Sequence, residues 1–66
     1  MELMKISELI NEAFKMGFVM ASLHVRDTDN NSHFITVREE QDVDAKISRM
    51  NELIGEGHRV LAITFL

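Results

Sequence analysis

Three histidines, His24, His33 and His58, are the side chains of this 66-residue sequence best suited to moving a proton near neutral pH or holding a metal. The sequence has no cysteine, so disulfides and thiolate metal sites are excluded. Imidazole and carboxylate remain as the available ligands. His24 and His33 flank the turn Asp27-Thr28-Asp29-Asn30-Asn31. Strand parity sends their side chains to opposite faces, so the two do not converge on one ion within a single chain. The expectation is therefore three polar strand-end residues, with no metal and no cofactor. A functional His24 would have Ser22, Arg26 and Phe34 as neighbours.

Two acidic stretches invite a chemical reading. Asp27, Asp29 and Asn31 match the first three ligand positions of a calcium loop, but Ser32 replaces the required glycine and Arg38 replaces the closing glutamate. Asp and Asn are also ordinary turn residues, and that reading is preferred. The run Arg38-Glu39-Glu40-Gln41-Asp42-Val43-Asp44 reads as a solvated helix start whose carboxylates complement the helix dipole. The sharper reading, an acidic face for a basic partner, is set below it. With three glycines in all, no phosphate-cradling loop is present. The serines lack the flanking glycines of a nucleophile elbow. A non-enzymatic protein is expected.

Hydrophobic spacing supplies the elements. Ile6, Leu9, Ile10, Ala13 and Phe14 form one apolar stripe of a helix over residues 3–16, which Gly17 ends. An extra strand over residues 2–6 is the alternative. Residues 18–26 alternate as a strand, and residues 32–39 form its hairpin partner across an odd-length turn. That parity pairs Leu23 with Ile35 and Ala21 with Val37. Val43, Ile47, Met50 and Ile54 mark a second helix over residues 41–54, closed by Gly55-Glu56-Gly57. A last strand covers residues 58–66. Residues 11–23 and 51–63 share Asn-Glu and a glycine at an offset of 40, an echo of one helix–glycine–strand unit.

One α+β domain over residues 1–66 follows, in the order α-β-β-α-β. The simplest topology is a three-stranded antiparallel sheet of order 2-1-3 with both helices on one face, related to split β-α-β and ferredoxin-like folds. Val19, Ala21, Leu23, Ile35, Val37, Leu61, Ile63 and Phe65 are expected beneath the helices. Phe18, Met20, Ser22, His24, Phe34, Thr36, Arg38, Val60, Ala62, Thr64 and Leu66 are expected on the outer face, where nothing in the sequence remains to cover them.

That face sets the functional expectation. A chain this short buries only about 60% of its unfolded surface and often relies on association for stability. An apolar face on such a chain marks an interface. The interface residues expected are Phe18, Met20, His24, Phe34, Val60, Ala62 and Leu66. The leading reading is a small homodimeric interaction module that binds or inhibits a partner protein, of the kind common in phage and mobile elements.

A net charge of −4, from 11 acidic and 7 basic residues, disfavours free nucleic acid as the partner. No apolar run reaches the roughly 20 residues of a membrane span, and no secretory signal is read, so a cytoplasmic protein is expected. The segments "SELINEAFKMGFVMAS" and "NSHFITV" resemble the opening of HicA-type mRNA interferases, a helix, then Gly-aromatic, then a strand and a second strand entered through a histidine. The resemblance covers about half the chain and would make His33 the functional residue, with Arg26 and Lys15 as phosphate contacts. The family's basic composition, the glycine before its Ser-His and its third strand before the closing helix are missing. A third reading is an oligomer holding a small ligand near His24 and Arg38.

Overall fold

The computed structural model describes residues 3–55 and 59–66. The elements are α1 (Leu3–Lys15), β1 (Met20–Arg26), β2 (Ser32–Arg38), α2 (Val43–Ile54) and β3 (Val60–Phe65). The three strands form an antiparallel sheet of order β2-β1-β3, which is the expected topology. The longer first helix is present, so residues 3–6 are not a strand; residue 2 and His58 lie outside the described residues.

Each helix stops for an identifiable reason. At the end of α1, Gly17 takes a φ of 106°, the Gly17 N–H donates to Phe14 O and the Phe18 N–H donates to Ala13 O. These are the paired bonds of a Schellman motif, which needs a left-handed residue after the cap. Asp42 caps α2 by accepting from the Ala45 N–H at 3.1 Å. Gly55, at φ 79°, ends α2. The expected echo placed that role at Gly57; the helix stops two residues earlier, so the internal repeat does not extend to the helix cap.

The hairpin register is the expected one, with Leu23 opposite Ile35 and Ala21 opposite Val37. Asp27 N–H donates to Asn31 O and Asn30 N–H to Asp27 O, while Asn30 adopts φ 68°. A turn of this kind followed by a left-handed residue fixes an odd loop and therefore the parity of both strands.

One core results. Ile6 and Ile10 from α1, Ala21, Leu23, Val25, Val37 and Val60 from the sheet, and Val43, Ile47, Met50 and Ile54 from α2 are all buried together. Both helices therefore lie on a single sheet face. The Ser7 hydroxyl ties them to each other by donating to Asp44 Oδ1.

Five placements expected from the apolar pattern are corrected. Val25 pairs with Val60, whereas His24 pairs with Ala62, so Leu61 is an extra residue in a β-bulge. Val60 thus belongs to the core, 9% exposed, and not to the outer face; Leu61 remains 50% exposed. Strict alternation fails there because a bulge sets two residues of one strand against one of its partner. Phe18 precedes β1 and packs its ring against Phe65, at 5.8 Å between centroids, on the helix side. Val19 also lies before the strand and is exposed. In α1, Leu9 is exposed even though it falls in the apolar stripe.

Candidate functional site

The outer sheet face carries rows fixed by the register. Arg38 and Met20 form one row, Thr36, Ser22 and Thr64 the next, and Phe34, His24 and Ala62 the third. Leu66 joins Met20 through reciprocal backbone hydrogen bonds. No described element covers these residues. Phe34 is the most prominent, 73% exposed, with its ring stacked on His24 at 4.7 Å and 14°. The pair makes a flat aromatic platform near the hairpin end of the face.

Of the seven interface residues read from the sequence, Met20, His24, Phe34, Ala62 and Leu66 share this face. Phe18 and Val60 do not, for the reasons above. The apolar area is also interrupted, because the hydroxyl row Thr36–Ser22–Thr64 separates Met20 and Leu66 from the platform. His24 and Arg38 lie on the same face two rows apart, about 13 Å along the strands.

A second cluster lies at the hairpin tip, and Asp27 is its centre. Its Oδ1 accepts from the Asp29 and Asn31 N–H groups, both at 2.9 Å. Its Oδ2 faces His33 Nε2 at 2.7 Å. Its backbone oxygen accepts from the Asn30 N–H and from Arg59 Nη1, the latter at 2.8 Å. The hydrogen bond from His33 and then the Asn31 amide hold the Asp27 carboxyl below its ordinary range, against the opposing effect of burial. An ionised carboxylate only accepts, so the proton of this contact sits on Nε2. In the neutral imidazole, Nδ1 would be the nitrogen without a proton.

An imidazole oriented by a carboxylate is a general-base arrangement. Sequence reasoning treated Asp27 as a turn residue and His33 separately; their contact across the turn depends on the loop conformation. Arg26 reaches the same tip, donating to Asn30 Oδ1 at 3.2 Å. Lys15 does not: it ends α1, at the start of β1, whereas His33 stands opposite Val25, five residues further along that strand. Among the described residues, no three His, Cys, Asp or Glu side chains converge as metal ligands.

The fold and these surfaces define the class, a small α+β sheet domain with one helix-covered face and one bare face. No family model matches the chain, and it finds no match among curated proteins or solved structures.

Proposed function

We propose that this protein is a small, non-enzymatic interaction module that works as a homodimer and docks a partner protein on the bare sheet face. One observation carries the reading: Phe34 stands largely in solvent on β2, stacked on His24, whose other neighbour across the sheet is Ala62. A rigid aromatic platform on a flat face supplies contact area at low entropic cost, the usual character of an interface anchor. The flanking hydroxyls of Ser22, Thr36 and Thr64 offer hydrogen bonds to a partner's polar groups.

The test separates the two parts. Analytical ultracentrifugation that finds only monomer at high concentration would remove the homodimer. Capture of host proteins by the wild type and by Phe34→Asp tests the platform; the variant is expected to lose specific capture while keeping its circular dichroism. Equal capture by both would move docking off this face.

The Asp27–His33 contact favours a second reading, a phosphate-directed module with His33 as proton acceptor. On that reading, expression arrests growth and His33→Ala relieves the arrest. Arg59 and Arg26 would then serve as the nearby cations in place of Lys15.

A further inference from the structure

We infer that the homodimer forms by antiparallel pairing of β3 with the β3 of a second copy, which makes one continuous six-stranded sheet. The inference rests on the proposed homodimer and names its seam.

Hydrogen-bond parity shows which backbone groups are free. Leu66 and Met20 exchange both backbone bonds, and opposed residues in an antiparallel pair alternate between bonded and unbonded. Ala62, Thr64 and Leu66 therefore bond to β1. The N–H and C=O groups of Ile63 and Phe65 point out from the free edge, a ready template for another strand.

The two edges of the sheet are not equivalent. On β2, the outward Arg38 N–H is already taken by Gln41 Oε1 at 2.9 Å, and Arg38 puts a charge on that edge. On β3, the sequence Val-Leu-Ala-Ile-Thr-Phe contains no charge and no proline. Such an edge suits a second copy. A two-fold axis sets a strand against itself, so a charge near the axis would meet its own kind. With the axis at Ile63, that residue faces the partner's Ile63, and Leu61 faces the partner's Phe65. Apolar residues on the helix side would then meet across the seam.

α1 extends the same flank. Ser7 and Asn11 are on the side of α1 that faces α2, as the Ser7–Asp44 bond and the groove shared by Asn11, Phe14 and Asp42 require. α2 in turn packs over β2. The opposite side of α1, with Lys5, Leu9, Glu12 and Met16, therefore points toward the β3 flank. Lys5, Glu8, Leu9 and Glu12 line a recess there of about 410 Å³. An antiparallel two-fold packing of α1 about Leu9 sets Lys5 near the partner's Glu12, which is self-complementary in charge. Exposure of Leu9, unexplained by the monomer, follows directly.

Pairing at β3 leaves the bare sheet face open and joins the two copies of it into one surface.

The experiment is amide hydrogen exchange beside sedimentation, using the full chain. A dimer of twice 7.6 kDa is expected, with the Ile63 and Phe65 amides slowed on the order of 100-fold relative to dilute monomer. Chemical synthesis with N-methylated Ile63 removes one edge donor without touching the β1–β3 ladder. This chain is expected to stay folded by circular dichroism and to sediment as monomer. Fast exchange at both amides in a dimeric sample overturns the seam, as does a dimer unchanged by the N-methyl group. A dimer that Phe34→Asp dissociates places the seam on the bare face instead, and a strict monomer overturns the homodimer itself.

Discussion

Val25 stands opposite Val60, not opposite Leu61. The single extra residue decides which of two adjacent apolar side chains enters the core and which is left at the edge.

The bulge makes a sharp contrast between neighbours. Val60→Ala removes two buried methyl groups and leaves a void, at a cost of about 2 kcal/mol. In a domain of this size that lowers Tm by on the order of 10 °C. Leu61→Ala is expected to cost under about 1 kcal/mol in a monomer, since half of that side chain is already in water. Thermal melts of the two variants at low concentration check the order; a larger loss from Leu61→Ala would mean strict alternation holds.

Asp27 gives the fold an acid-sensitive brace. Its carboxyl is lowered from 3.8 in the folded state, so the stabilisation it provides is present above that value and is lost as pH falls through the folded pKa. Asp27→Asn should lower stability at pH 6 and flatten the acid limb below about pH 4. Urea titrations at several pH values measure both effects. Parallel pH profiles for wild type and variant would show that Asp27 does not titrate differently on folding.

Gly17 is a backbone requirement. A Cβ built there meets nothing within 4 Å, so the only cost of Gly17→Ala is the φ of 106°. About 1–2 kcal/mol of destabilisation is expected, and chemical denaturation would detect it. A neutral result would mean that the chain passes from α1 to β1 by a different turn.

The Ser7–Asp44 bond is the described side-chain hydrogen bond between the helices. Ser7→Ala should cost about 1 kcal/mol, because the serine is buried while its acceptor is exposed. Ser7→Ala and Asp44→Ala should be non-additive in a double-mutant cycle, as expected for two ends of one bond.

The element order was legible because each element carries its own local signal. Period-3.6 stripes ended by Gly17 and Gly55, and the alternation on either side of Asp27–Asn31, depend only on near neighbours along the chain. Hairpin parity was legible for the same reason: an odd turn and a one-sided apolar pattern admit a single register. Val60, Leu61, Phe18 and Leu9 were not legible. Each has the right residue type for the core, and its burial depends on a bulge, on where a strand begins, or on which flank a distant helix occupies. The contact of Asp27 with His33 was hidden likewise, since two residues six apart meet only when the loop between them takes one conformation. Local pattern alone is enough to require that one face of a three-stranded sheet be covered. Which apolar side chains stay outside depends on long-range packing, because exposure is a property of what packs alongside, and packing is not local.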